Sequence, residues 1–115
     1  MSYKRGDVVL VLFPDSNLRT AKRRPALIVQ ADALQTGLPQ TIIAMITSNL
    51  TRAGHPSRIT VPISDPQSRR TGLRSDSVVM TDNLTTVFEN EIDRKIGSIT
   101  SLDAIDRALR HTLGL

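Results

Sequence analysis

The chain has 115 residues and a mass of 12.6 kDa, so we expect residues 1–115 to form a single domain. With no Cys, only 2 His and no apolar run near the roughly 20 residues of a membrane helix, it is expected to be a soluble cytoplasmic protein without disulfide, metal or cofactor. The net charge is +4, and residues 1–74 carry eleven Lys and Arg against four Asp, which favours a polyanionic partner over a basic surface kept for solubility alone.

Short apolar segments rich in β-branched residues predict six or seven strands, separated by singly spaced glycines and prolines. The predicted strands are Asp7–Phe13, Ala26–Val29, Thr41–Thr47, Arg58–Ile63, Ser77–Thr81, Thr85–Phe88 and Lys95–Ile99. Pro62 removes a backbone donor from the fourth of these segments, which indicates an edge strand or a strand end.

The C-terminal segment changes to helical period, with apolar residues at Leu102, Ile105, Leu109 and Leu113. We predict a helix over residues 101–113, with Thr100 and Asp103 as a capping box and Gly114 as the C-cap. Two i,i+4 ion pairs are expected along it, Asp103 with Arg107 and Asp106 with Arg110. Short strands followed by one helix predict a mainly-β fold, a small curled sheet or barrel with the helix packed on it.

A cluster of cations lies between the first two predicted strands, at Arg19, Lys22, Arg23 and Arg24. A solvated basic loop and an anion-binding loop both fit this pattern. Arg24 stands apart because it directly precedes Pro25 and a buried strand, so its backbone is extended and held. An arginine fixed at the rim of a β-core can present its planar fork to phosphate oxygens.

Two further polar segments could act on the same anion, although both also read as turns or polar loops. Thr47-Ser48-Asn49 ends the third predicted strand, and Arg74-Ser75-Asp76-Ser77 precedes the fifth, with Arg69 and Arg70 upstream. His55, between Gly and Pro, is expected to be exposed and able to donate a proton or contact RNA. His111 is expected to be a surface residue of the helix.

The chain lacks the residue patterns that are typical of several enzyme classes. Asp82, Glu89 and Glu91 do not have the spacing of paired catalytic carboxylates, which argues against two-metal and glycosidase chemistry. There is neither a phosphate-binding glycine loop nor a dinucleotide fingerprint.

The segments Lys4–Val11, Lys22–Val29 and Ile46–Asn49 together resemble the MazF/PemK toxins of bacterial toxin–antitoxin pairs. So do Asp76–Val79, Lys95–Gly97 and Ile105–Leu109, so that the resemblance runs in order over nearly the whole chain. It implies a small SH3-like β-barrel with a C-terminal helix, a homodimer, and an antitoxin partner with an acidic tail. It also implies metal-independent cleavage of single-stranded RNA through the ribose 2′-OH, leaving a 2′,3′-cyclic phosphate and a 5′-OH.

The resemblance also assigns site residues. The catalytic Arg that precedes Pro in the family falls on Arg24, the catalytic Thr on Thr47 with Ser48 beside it, and a Ser used by some members on Ser77. We expect the basic segments around them to contact RNA, through Arg19, Lys22, Arg23, Arg52, His55, Arg70 and Arg74.

This sequence departs from the family at two places. Arg19-Thr20-Ala21 stands where many members have Glu-Gln-Gly, and Met80 stands where plasmid-type members have a strand Arg followed two residues later by an Asp, here Asp82. Two alternative functions therefore stay open. One is a protein-targeting, gyrase-poison-like toxin of the same fold, although the C-terminal Trp of that relative is missing here. The other is a non-catalytic RNA-binding module.

Overall fold

The structure, a computed structural model, describes residues 3–14 and 21–115. Six antiparallel strands and one helix make up its regular elements: β1 (Asp7–Pro14), β2 (Ala21–Ile28), β3 (Gln40–Thr47), β4 (Arg58–Val61), β5 (Ser77–Phe88), β6 (Ile92–Ser98) and α1 (Asp103–Leu113). Three short 3₁₀ helices connect them, at Leu50–Arg52, Pro66–Thr71 and Glu89–Glu91.

The strands form one sheet in the order β4-β5-β3-β2-β1-β6. The mainly-β fold with a terminal helix is therefore confirmed, whereas the hydrogen-bonded ladder of the described residues stays open between β4 and β6. β4 is an edge strand and ends at Val61, directly before Pro62, as predicted.

Apolar side chains are buried on both faces of this sheet. Val8 on one face and Val9 and Val11 on the other are fully buried, because β1 lies inside the sheet. One face carries the cluster Val9, Val11, Ala26, Ile28, Ile43, Met45, Val87 and Ile92. The other carries Val8, Leu27, Ala44, Ile46, Val61 and Val79 and is covered by Ile105 of α1. The helix thus packs on one side of the sheet, as expected.

β2 begins earlier than the sequence indicates, at Ala21 rather than Ala26. Lys22, Arg23 and Arg24 therefore belong to a strand and not to a loop, with Arg23 opposite Leu12 and Arg24 opposite Val11 of β1. The three side chains are exposed, so hairpin pairing with β1 extends the strand while the charges stay in solvent. Arg19 lies outside the described residues.

The predicted fifth and sixth strands are one strand, β5, with an irregularity in the middle. Met80 pairs with Met45, but the next pair along β3 is Ala44 with Leu84, so three residues of β5 have no counterpart. The interruption in the apolar pattern at Asp82 and Asn83 marks this bulge rather than a turn between two strands.

The helix starts two residues later than predicted, at Asp103, and Gly114 caps its C-terminus with φ of 73°, as expected. The predicted capping box is wrong, because Leu102 is the N-cap residue and makes no side-chain cap hydrogen bond. The predicted pair of Asp106 with Arg110 is also wrong. Asp106 pairs with Arg5, which precedes β1, and thereby ties the helix to the start of the sheet. Asp103 makes no ion pair with any described residue.

Candidate active site

A groove of about 750 Å³ opens where β2, β3 and β5 meet the segment that follows the 3₁₀ helix Pro66–Thr71. The four residues predicted to be catalytic, Arg24, Thr47, Ser48 and Ser77, all line this groove. The remaining wall consists of Leu10, Arg23, Pro25, Met45, Ile46, Gly72, Leu73, Arg74, Ser75, Met80, Asn83, Arg94 and Ile96. The structure thus brings the candidate residues together, and their catalytic roles stay predictions.

The register of β2 and β3 explains how Arg24 and Thr47 come to share the groove. Ala26 pairs with Met45, and two more steps of the same register would set Arg24 opposite Thr47. Val29 donates its N–H to the Ile42 carbonyl (3.1 Å), so odd-numbered residues of β2 present their N–H groups to β3. Pro25 has no N–H, so the ladder stops there and the two strands part. The proline next to Arg24 therefore helps to open the groove.

The hydroxyl groups of the groove differ in exposure and in hydrogen bonding. The Thr47 hydroxyl oxygen accepts the backbone N–H of Asn49 (3.1 Å). No described residue accepts the Thr47 hydroxyl proton, so this proton can be donated to a ligand in the groove. Ser48 is exposed. Ser77 is only 4% exposed and donates its hydroxyl to the Ser75 carbonyl (2.9 Å), so it can face a ligand only as an acceptor unless it rotates.

The electrostatic character of the groove is strongly positive. Arg23, Arg24, Arg74 and Arg94 line it, and no carboxylate of the described residues does. Asp93 lies next to the wall, where its Oδ2 is 3.0 Å from Arg23 Nε and 3.6 Å from Arg94 Nη1. Arg24 and Arg74 form no ion pair with any described residue. Two guanidinium groups are therefore available to an anion without displacing a described carboxylate.

The residues predicted to contact RNA separate into two groups. Arg23 and Arg74 line the groove, while Lys22 is an exposed residue of β2 next to it. Arg52, His55 and Arg70 are exposed but do not line the groove. Sequence reasoning missed Arg94 and Asn83 as groove residues, whereas Ser75 lies in a polar segment that it had singled out. Only the register of β6 against β1, which sets Arg94 opposite Leu10, could have identified Arg94.

His55 belongs to a separate polar cluster beside the end of α1. Its Nδ1 accepts the Ser57 N–H (3.1 Å) and lies 2.7 Å from the Ser57 hydroxyl, while its ring is 6.0 Å from that of His111. Both imidazoles are exposed, as predicted. Ser57 itself is 2% exposed, so this pair is not an accessible nucleophile with its base.

Asp82 is held by Arg58 and does not line the groove. Arg58 Nη2 donates to Asp82 Oδ2 (2.8 Å) and its Nε to Oδ1 (3.3 Å). The hydrogen bond from Arg58 lowers the pKa of the Asp82 carboxyl, and the same bond raises the pKa of Arg58. Asp82 is therefore ionised at neutral pH and occupied in an ion pair.

Within residues 3–14 and 21–115, no group of three or more His, Asp or Glu side chains is arranged to hold a metal ion. No helix in the same part of the chain is long and apolar enough to cross a membrane.

Comparison with known proteins identifies the family. A family model described as PemK-like, MazF-like toxin of type II toxin–antitoxin system matches residues 4–113. Endoribonuclease MazF2 of Mycobacterium bovis is 33% identical over 107 residues, which cover 90% of each chain. Endoribonuclease EndoA of Bacillus subtilis is 29% identical over 118 residues, covering 100% of this chain and 97% of the relative.

Solved structures agree with this relationship at the level of the fold. A mycobacterial endoribonuclease in complex with its cognate antitoxin superposes with a TM-score of 0.73 at 24% identity, covering 99% of this chain and 97% of the other. The family model matches almost the entire chain, and a relative that is 33% identical is covered over 90% of its length. This chain belongs to the PemK/MazF family of toxins.

Proposed function

We propose that this protein is a sequence-specific endoribonuclease toxin that cleaves single-stranded mRNA in the cytoplasm without a metal ion. The observation that carries the proposal is the convergence of Arg24, Thr47, Ser48 and Ser77 on one groove that contains four arginines and no described carboxylate. Relatives that cover most of this chain are named endoribonucleases, which supports the same activity.

In the proposed reaction, the ribose 2′-oxygen attacks the adjacent phosphorus and the bond from phosphorus to the 5′-oxygen breaks. The proton of the 2′-OH is lost and the leaving 5′-oxygen gains one, so the products are a 2′,3′-cyclic phosphate and a 5′-OH, with no water consumed. Negative charge grows on the equatorial phosphoryl oxygens in the transition state, and a fixed donor aimed at such charge contributes about 3–4 kcal/mol.

Arg24 is assigned to this charge. A guanidinium carries its positive charge at neutral pH and does not act as a base there, but its planar fork can bind two phosphoryl oxygens at once. Thr47 and Ser48 can donate hydrogen bonds to the same phosphate, since the Thr47 proton is not used by a described residue and Ser48 is exposed. Arg23, Arg74 and Arg94 would bind the flanking phosphates.

We also propose two protein partners. The first is a second copy of this chain, so that one homodimer would carry two grooves, one from each copy. The second is an antitoxin whose acidic, disordered tail occupies the groove, since the groove arginines suit carboxylates as well as phosphates. Affinity for such a tail should fall as salt rises, because exposed charges are screened over about 10 Å at 0.1 M. An affinity that salt does not change would contradict this placement.

The test incubates the purified protein with a long RNA in EDTA, with Arg24→Ala as a control for contaminating nuclease. Cleavage at defined sites, with 2′,3′-cyclic phosphate and 5′-OH ends and absent from the variant, would support the proposal. Cleavage only after addition of Mg²⁺ would overturn metal independence. Binding of RNA without cleavage would favour the non-catalytic module, and no interaction with RNA would favour a protein target.

A further inference from the structure

The bulge in β5 consists of three polar residues, Thr81, Asp82 and Asn83, of which Asn83 lines the groove. These residues fall between the pair of Met80 with Met45 and the pair of Leu84 with Ala44, so β3 offers them no partners. Bulges of this kind redirect side chains and are frequent beside active sites. The question is what each of the three side chains does.

Two of the three are committed to holding the bulge. Thr81 is completely buried, donates its hydroxyl to the Ser57 carbonyl (2.6 Å) and lies 2.7 Å from the Thr112 hydroxyl of α1. Its backbone N–H donates to the same Ser57 carbonyl (3.0 Å). Asp82 accepts hydrogen bonds from Nε and Nη2 of Arg58. The bulge is thus fixed at two successive residues.

Asn83, the third residue of the bulge, does not help to hold it in place. It is exposed, it lines the groove, and its carboxamide makes no hydrogen bond to a described residue. An exposed asparagine on a mobile loop would not be held in one place and could not select a base. Here the two preceding residues are anchored, so the carboxamide is presented from a rigid position on the groove wall.

The chemistry of the carboxamide sets Asn83 apart from the other polar groups of the groove. The arginines offer only donors, which bind phosphates regardless of sequence and can pair with the two acceptors of guanine but not with the adenine edge. The hydroxyls of Thr47, Ser48, Ser75 and Ser77 can pair with any base edge. Asn83 supplies the only carboxamide among the described groove residues, with an acceptor and a donor side by side. That arrangement matches the Hoogsteen edge of adenine, where the N6 amino donor lies next to the N7 acceptor, a pair that the Hoogsteen edge of no other base presents.

We infer that Asn83 is a specificity-determining residue that binds an adenine next to the cleaved phosphate. This inference rests on the proposed ribonuclease activity and extends it to the choice of base. Single-stranded RNA suits such recognition, because unstacked bases expose their Watson–Crick and Hoogsteen edges. The groove arginines would hold the backbone, and Asn83 would select which sequence is cut.

The experiment maps cleavage sites on a long RNA by sequencing the 5′-OH ends, for wild type, Asn83→Ala, Asn83→Asp and Arg94→Ala. Wild type should prefer adenine at one position of the site. A bidentate contact contributes about 1–3 kcal/mol of discrimination, so Asn83→Ala should reduce the preference at that position by roughly 5- to 150-fold. Asn83→Asp has the same shape but presents an acceptor to the adenine ring nitrogen, so it should also lose the preference. Arg94→Ala should slow cleavage at all sites alike.

Thermal melting of the four proteins checks that each is folded. If wild type shows no adenine preference, or if Asn83→Ala keeps the wild-type pattern or slows all sites equally, the role of Asn83 is wrong while the ribonuclease activity stands. Wild-type protein that cuts no RNA would overturn the proposed function and the role of Asn83 with it.

Discussion

Arg24 occupies the position where geometry and charge matter most to the proposed reaction. It lines the groove at the point where β2 leaves β3, next to Pro25, and it forms no ion pair with a described residue. Its value to a transition state would depend on the rigid two-pronged guanidinium rather than on charge alone. A lysine at the same position keeps the charge and loses the fork.

We therefore expect Arg24→Lys to be nearly as damaging as Arg24→Ala. The single-turnover cleavage rate should fall by roughly a hundredfold or more, whereas RNA affinity should change little because the other groove arginines remain. Arg107→Lys, at an exposed position of α1, is the matched control and should cleave like wild type. Near-wild-type cleavage by Arg24→Lys, with unchanged melting temperatures, would reduce Arg24 to one cation among several.

Asp82 carries a pH dependence that can be assigned in sign. The hydrogen bond from Arg58 lowers the pKa of the Asp82 carboxyl in the folded protein. A lowered pKa contributes stability that is complete above the unfolded value of about 3.9 and is lost as pH falls through the folded value. Asp82→Asn should therefore melt below wild type at about pH 6, and the difference in melting temperature should shrink as pH falls below the unfolded value of about 3.9. A difference in melting temperature between wild type and Asp82→Asn that does not change with pH would show that the ionised pair does not stabilise the fold.

The candidate site could be predicted from the sequence only in part. Arg24, Thr47, Ser48 and Ser77 lie at strand ends next to recognisable polar segments, so local pattern and family resemblance sufficed to select them. Asn83 and Arg94 are single polar residues without such a context. They reach the groove through the β5 bulge and through the register of β6 against β1, and both features depend on tertiary pairing that local sequence does not encode.

At the level of elements, the errors have a common cause. Lys22, Arg23 and Arg24 read as a loop because dense charge is typical of loops, yet pairing with β1 keeps them extended. Asp82 and Asn83 interrupt the apolar pattern, so two strands are predicted on either side of them, yet anchoring by Arg58 and Ser57 keeps β5 continuous. In both cases tertiary contacts overrode a correct local preference. The strands with strong β-branched patterns, such as Gln40–Thr47, were predicted nearly to the residue.

The packing of β6 on the 3₁₀ helix Pro66–Thr71 depends on Gly97. A Cβ at this position would lie 2.2 Å from the Arg70 carbonyl oxygen and 2.3 Å from the Thr71 carbonyl carbon, both of them backbone atoms. The segment that would have to move leads into Leu73 and Arg74 on the groove wall. Close approach of two backbones therefore requires glycine here.

We expect Gly97→Ala to lower the free energy of unfolding by about 3 kcal/mol or more, at the upper end of the overpacking range. Gly54→Ala is the control, because Gly54 has φ of 89° but no atom within 4 Å of an added Cβ. Its cost should be limited to the left-handed backbone, about 1–2 kcal/mol. Denaturant titration of both variants measures the difference. A milder effect of Gly97→Ala than of Gly54→Ala would show that the two backbones are not in close contact.

For the whole molecule, the distribution of apolar surface supports self-association. Leu38 is 59% exposed and Phe88 is 54% exposed, and each directly precedes one partner of a backbone hydrogen bond, in which the Glu89 N–H donates to the Pro39 carbonyl (2.9 Å). With three aromatic residues in 115, this chain has few large side chains for its core. Burial of further apolar surface between two copies would add to stability.

We accordingly expect a homodimer at micromolar concentration. Sedimentation equilibrium should give a mass near twice 12.6 kDa. A mass near that of one chain over the same concentration range would contradict the dimer, without affecting the assignment of the groove.

The central claim is that this groove cleaves RNA through the 2′-OH of the substrate. The most direct measurement compares an RNA oligonucleotide that contains one cleavage site with the same oligonucleotide carrying a single deoxyribose on the 5′ side of the cleaved phosphate, both in EDTA. Removal of one hydroxyl leaves the phosphates and bases for Arg24 and Asn83 unchanged, so binding should persist while cleavage is abolished. Cleavage of the substituted oligonucleotide at the rate of the all-ribose one would contradict the mechanism.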